Sequence, residues 1–322
     1  MSDPTILIVR FSAIGDCVMD AWAVSALRLE FPAAHIIWAV QDRCVPALDQ
    51  GTLVDEIVEI PRSRWKDRGP SLKNLKEQHS FYRSLSAQNI DFGFDFQGHS
   101  KTALFLKMAG CAVRRAATAT DLFARSLNPV MQNSPLGPHM VQRSIALLQS
   151  EFDVQLPDKP FMPSVEDNLP DDELACSQRP LVTIQTGAGE EDKRYPAELW
   201  AKVAEELRSS DFDLVAIGAP GDPTIDHPAV VNRVGAWTLG ESIAMVGRSQ
   251  LHLAADTGTG HVASAYGHPV VSVFGRTDPA VFRPWGEHVI ALREGQTPSS
   301  TKPESIADAA KSLMEAKHEV CC

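Results

Sequence analysis

The stretch AADTGTGHVASAYGHPVVSVFG, residues 254–275, packs a strand end, a turn, a helix and a second strand into one run. The apolar segment LHLAAD (251–256) reads as a buried strand, Thr257 to Gly260 as a turn of small residues, and Gly260 to Tyr266 as an alanine-rich helix. Gly267 stops that helix, and PVVSVFG (269–275) is again a strand. A helix between two apolar runs is a crossover between parallel strands, and such continuous hydrophobicity suits a sheet covered on both faces.

The same alternation continues outward. LVTIQT (181–186) and FDLVAIG (212–218) flank a helix from Pro196 to Leu207, with proline at a favourable early position. Toward the N-terminus, ILIVRF (6–11), HIIWAV (35–40), DEIVEI (55–60), DFGFDF (91–96) and CAVRRA (111–116) read as strands. Helical patterns cover Asp16 to Glu30 and Leu72 to Gln88. Between the two series, residues 157–180 are rich in proline and charge and lack periodicity, as a linker does. A chain of 322 residues suits two domains. The expectation is α/β: two doubly wound parallel-sheet domains, residues 1–160 and 161–322, with a closing helix from Pro303 to Lys317.

Composition narrows the function. Hydrophobic residues make up 44% and charged residues 22%, which excludes disordered, collagenous and disulfide-scaffold classes. The net charge of −11 arises after residue 164, and that acidic half argues against a protein that coats nucleic acid. A local basic run, Arg62, Arg64, Lys66, Arg68, Lys73 and Lys76, is either a solvated loop or a surface for an anionic partner or membrane. Cys17, Cys44, Cys111, Cys176, Cys321 and Cys322 form no CxxC and no zinc spacing, so no metal is expected. The N-terminal segment has neither a signal-peptide nor a membrane-span pattern, and a cytoplasmic protein is expected.

Ligands of open parallel sheets bind at the carboxyl ends of the strands, where turns lead into helices. Three turns stand there. In FSAIGD (11–16), Asp16 opens a helix and is either a carboxylate complementing the helix dipole or an ionised general base. In QTGAGEEDKRYP (185–196), Gly187 and Gly189 leave amides open to an anion and Lys193 adds a charge; the alternative is an exposed lysine without a role. Neither GxGxxG nor a P-loop is present. In the third turn, Thr257, Gly258, Thr259, Gly260 and His261 suit a diphosphate, or Asp256 is simply an N-cap and His261 a first-turn residue.

Together, ILIVRFSAIGD (6–16), FDFQG (94–98), GAGEEDKRYP (187–196), DTGTGHVASAYGHPVVSVFGRTDP (256–279) and PWG (284–286) resemble the glycosyltransferase family 9 heptosyltransferases, which build the inner core of lipopolysaccharide. The resemblance spans nearly the whole chain. It implies a GT-B fold, two Rossmann-like domains facing across a cleft, with acceptor on the N-terminal domain and nucleotide sugar on the C-terminal one. It also implies an ADP-heptose donor, inversion without a chelated metal, no further cofactor, and a glycolipid or core-sugar acceptor reached from the inner membrane's cytoplasmic face. By position, Asp16 resembles the base, Lys193 the lysine on the donor phosphates, and Asp256 the acid on the heptose. Gly189 and Thr257 to His261 resemble the diphosphate site, and Gln97 and Lys101 a segment facing the acceptor. In similar folds the closing helix crosses back to the first domain.

The sequence departs from the pattern twice. GAPGDPTIDHP (218–228) offers only Asp222 near the usual ribose carboxylate, and GEED (189–192) is unusually acidic for a diphosphate cradle. Two rival readings remain at this level: the same fold with another sugar or acceptor, a protein side chain included, and a nucleotide-sugar-binding protein without turnover.

Overall fold

The computed structural model describes residues 3–69, 71–131, 136–208 and 212–320, the last four as backbone only. The chain divides into two compact units, Met1–Met162 and Pro163–Cys322.

The first unit holds five parallel strands, β1 (Thr5–Val9), β2 (His35–Gln41), β3 (Glu56–Ile60), β4 (Phe92–Asp95) and β5 (Val113–Ala116). Their order is β3-β2-β1-β4-β5. In β1, Ile6 and Ile8 join one apolar cluster while Leu7 and Val9 join another. All four are fully buried, which explains why the strand reads as continuous hydrophobicity: each face is covered, and each such side chain contributes roughly 1.5–3 kcal/mol. The helix Ile14–Glu30 begins two residues earlier than its sequence pattern suggests. The pattern over 72–88 resolves into a helix, Leu72–Arg83, followed by a 3-10 turn, Ser84–Ala87.

The second unit holds six parallel strands: β6 (Leu181–Gln185), β7 (Asp213–Ile217), β8 (Val230–Asn232), β9 (Leu251–Ala255), β10 (Val270–Val273) and β11 (Val289–Leu292). Their order is β11-β10-β9-β6-β7-β8. The two strands without a clear sequence signal, β8 and β11, are the edges, where burial is partial and the apolar pattern correspondingly weak. The segment 157–180 is not featureless, because Glu166–Asn168 forms a 3-10 turn and Glu173–Cys176 a short helix. The closing helix, Pro303–Val320, buries Ile306, Ala307 and Ala310 in the second unit's core and packs on the helix Ala197–Leu207. Cys321 and Cys322 lie outside the described residues; Cys17, Cys44, Cys111 and Cys176 are free thiols.

Each sheet has one switch point, where neighbouring strands send the chain in opposite directions: β1 beside β4, and β6 beside β9. There the helices diverge and leave room at the carboxyl ends of the strands.

Candidate active site

At the second switch point, the chain leaving β6 turns at Gly187. A Cβ there would stand 1.8 Å from Asp222 Oδ2, so any larger residue would have to displace that carboxylate. Asp222 is pinned by the Ala219 amide, which donates to it at 2.7 Å, and faces Arg194 at 3.5 Å. This carboxylate is therefore engaged within its own turn. Gly189 has open space above it, with nothing within 4 Å of a Cβ.

The chain leaving β9 enters the third turn. Asp256, its side chain 9% exposed, accepts from the Thr277 hydroxyl at 2.8 Å and pairs with Lys193 Nζ at 3.1 Å. The N-cap of the helix Gly258–Ala265 is Thr257 rather than Asp256, and it makes no side-chain cap bond. The amides of Gly258, Thr259 and Gly260 thus open the helix without a side-chain acceptor, an arrangement that receives anions. His261 is buried in that first turn. The acidic run is partly neutralised in place: Arg276 binds Glu190 and, at 3.0 Å, Asp192, while Lys193 lies 3.7 Å from Glu190.

At the first switch point, β1 runs into Arg10, a buried cation. Its Nε donates to Asp20 Oδ2 at 2.5 Å, and the Ser144 hydroxyl donates to the other Asp20 oxygen. Burial pushes Asp20 up to about 6, with Arg10 and Ser144 pulling the other way. Burial also opposes the charge on Arg10, yet the Asp20 and Asp16 carboxylates hold its pKa above the ordinary value. Asp16 stands in the first turn of the helix Ile14–Glu30. Its Oδ2 accepts from the Ala13 amide at 3.1 Å and lies 3.9 Å from Arg10 Nη1, and its side chain is 32% exposed. One oxygen anchors the group, and the carboxylate keeps a face toward solvent.

Across the same switch point, the Phe11 amide donates to Gln97 Oε1 at 3.0 Å. The amides of Gln97 and Gly98 donate to Asp95 Oδ1 at 2.9 and 2.8 Å, fixing the loop that carries Gln97. Burial raises Asp95 to about 6 against these bonds. Two cavities of about 220 and 340 Å³ share Phe11, Arg62 and Lys101; the first reaches Gln97, the second Trp65 and Tyr82. Cations beside aromatic faces suit an acidic or phosphorylated sugar.

The family model of glycosyltransferase family 9 (heptosyltransferase) matches residues 78–310. The chain belongs to glycosyltransferase family 9. Lipopolysaccharide heptosyltransferase 1 of Escherichia coli O18:K1:H7 is 22% identical over 333 residues, 98% of each chain. Lipooligosaccharide heptosyltransferase 2 of Haemophilus influenzae is 23% identical, covering 98% of this chain and 96% of that one. Among solved structures, E. coli heptosyltransferase WaaC with ADP has a TM-score of 0.78 at 20% identity, covering 96% of this chain and 99% of that one. This family 9 enzyme is thus a glycosyltransferase with the GT-B type of fold.

In this family 9 chain, Lys193, Gly189, Asp256 and Thr257 to His261 belong to the second unit, with Lys193 and Asp256 in direct contact. Asp16, Gln97 and Lys101 belong to the first unit. The sequence left Arg276 and Thr277 without a role although both sit in the long motif; the turn after β10 brings them to Glu190, Asp192 and Asp256. Gln185, which meets Thr259 Oγ1 at 3.5 Å, gave no signal beyond its place at the end of a strand. Among the described residues no three His, Cys, Asp or Glu side chains group to hold a metal ion, and no helix is long and apolar enough to cross a membrane.

Proposed function

We propose that this family 9 enzyme transfers heptose from ADP-heptose to a lipopolysaccharide-core or other lipid-linked sugar, inverting the anomeric centre without a chelated metal ion. The observation that carries the reading is the Lys193–Asp256 pair set beside the uncapped start of the helix Gly258–Ala265. The names of the relatives, lipopolysaccharide and lipooligosaccharide heptosyltransferases, support the sugar and acceptor, and the ADP in the WaaC structure supports the nucleotide.

In this reading Asp16 takes the proton of the acceptor hydroxyl, whose oxygen bonds to the anomeric carbon. The bond to the diphosphate oxygen breaks on the opposite side, and its electron pair departs with ADP. The Lys193 ammonium and the amides of Gly258 to Gly260 meet the charge that grows there, the role a chelated ion plays elsewhere. Asp256, released from Lys193, accepts from the sugar's hydroxyls. Gln97 and Lys101 hold the acceptor, and the run Arg62 to Lys76, with Leu72 and Leu75 exposed on the helix Leu72–Arg83, lets the protein rest peripherally on an anionic membrane.

Asp16→Asn is the direct test. Transfer should fall by roughly 10²–10⁴-fold while ADP affinity holds; transfer at the unaltered rate refutes the base. Thermal shifts with ADP, UDP and GDP decide the nucleotide, and a preference for UDP or GDP refutes the donor.

A further inference from the structure

A chain of polar side chains runs from the interior of the second sheet to its carboxyl edge. Thr183 on β6 and His252 on β9 are register partners, and both are fully buried. Thr183 Oγ1 lies 2.8 Å from His252 Nδ1, and His252 Nε2 lies 3.0 Å from Thr259 Oγ1. Thr259 Oγ1 in turn lies 3.2 Å from Thr257 Oγ1 and 3.5 Å from Gln185 Oε1. The path therefore ends on the second residue of the helix whose opening amides are read above as the diphosphate site.

Burial lowers the His252 pKa to about 3, so the ring is neutral, with one nitrogen donating and the other accepting. Only two orientations are possible. If Nδ1 carries the proton, Thr259 must donate inward to Nε2 and has no proton left for a ligand. If Nε2 carries it, the Thr183 hydroxyl donates to Nδ1, Nε2–H donates to Thr259 Oγ1, and the Thr259 proton points outward. The Thr183 carbonyl favours a proton on the ring. The Thr183 hydroxyl favours the second. It is fully buried, its hydrogen-bond partner is Nδ1, and leaving its proton without an acceptor costs about 1–3 kcal/mol. The carbonyl, by contrast, lies on a strand paired on both sides and has ladder partners. With no anion bound, Thr257 Oγ1 at 3.2 Å and Gln185 Oε1 at 3.5 Å are the acceptors within reach of that outward proton.

We propose that His252 is a positioning residue, held as the Nε2–H tautomer by Thr183, that turns the hydroxyl proton of Thr259 toward the diphosphate of the donor. The inference rests on the donor reading above and adds to it a side-chain donor beside the backbone amides. His252 does not touch the donor; it fixes the direction in which Thr259 donates.

The test combines a spectrum with a binding cycle on the full chain. Nitrogen-15 correlation of the neutral imidazoles, with His252 assigned by loss of its signal in His252→Gln, should show the proton on Nε2; a proton on Nδ1 overturns the proposal. Thr259→Val should weaken ADP binding about tenfold, and Thr259→Ser should restore it. Thr183→Val, which keeps the side-chain shape, should weaken ADP by a similar factor and leave the acceptor KM unchanged. The double variant Thr183→Val/Thr259→Val should lose no more than either alone, because both break one path. Multiplying losses, with each variant melting as the unaltered protein does, overturn the proposal while leaving the donor reading intact. Absence of ADP binding by the unaltered protein overturns both.

Discussion

Lys193 Nζ lies 3.1 Å from Asp256 Oδ2, so the cation read as binding phosphate and the carboxylate read as binding sugar hold each other before any donor arrives. In the proposed reading, binding exchanges partners: phosphate for Asp256 on the lysine, sugar hydroxyls for lysine on the carboxylate. Each side of the exchange can be removed separately. Lys193→Met should weaken ADP about tenfold, the worth of one charge-assisted contact. Asp256→Asn frees the lysine, so ADP, which has no sugar, should bind at least as tightly as before while heptose transfer falls about tenfold or more. Calorimetry with ADP decides it, and equal weakening by both variants excludes the exchange.

The two glycines of the turn after β6 differ in what an added methyl would meet. At Gly187 an added methyl meets Asp222 Oδ2 at 1.8 Å, a group fixed by the Ala219 amide, so Gly187→Ala should cost about 1–3 kcal/mol of stability. At Gly189 nothing lies within 4 Å, so Gly189→Ala should leave the melting temperature of the free protein unchanged. If the open space above Gly189 receives the diphosphate, the same variant lowers ADP affinity. Unchanged affinity would remove Gly189 from the donor site.

What the sequence reveals depends on how locally each feature is determined. The central strands β1 and β9 announce themselves because both faces are buried, whereas the edge strand β8, with Val231 and Asn232 exposed, has little hydrophobic signal to show. Asp16, Lys193 and Asp256 are legible because they stand in turns at the ends of readable strands. His252 is invisible in an apolar run, since its meaning comes from Thr183, distant in sequence. The Arg10–Asp20–Ser144 network behind Asp16 has the same character: Ser144 approaches from the helix Met140–Gln149, and no local pattern links it to Asp20.

Asp95 gives the fold a pH signature. Burial raises its pKa to about 6 from an ordinary 3.8, so the folded chain keeps a proton that the unfolded chain releases first. Stability from this group is therefore greatest below about pH 4 and declines as pH rises through 6, by on the order of 3 kcal/mol. Asp95→Asn keeps an oxygen for the Gln97 and Gly98 amides and removes the titration. Urea unfolding between pH 4 and 7 should show a shallower decline for the variant, with the remainder coming from Asp20, which burial also raises to about 6. Parallel curves would show that Asp95 is already ionised across that range.

Lys101 and Arg62 line both of the cavities that share Phe11 in the first unit. If those cavities hold the acceptor, removing either cation weakens acceptor binding, while the turns read above as holding the donor belong to the other unit. Lys101→Ala and Arg62→Ala should each raise the acceptor KM about tenfold, the worth of one charge-assisted contact, with the donor KM unchanged. Truncating the acceptor to a neutral sugar should erase the difference between variant and unaltered enzyme, since the cation then has no anion to meet. A kcat loss at constant acceptor KM would instead place these side chains with the reacting groups.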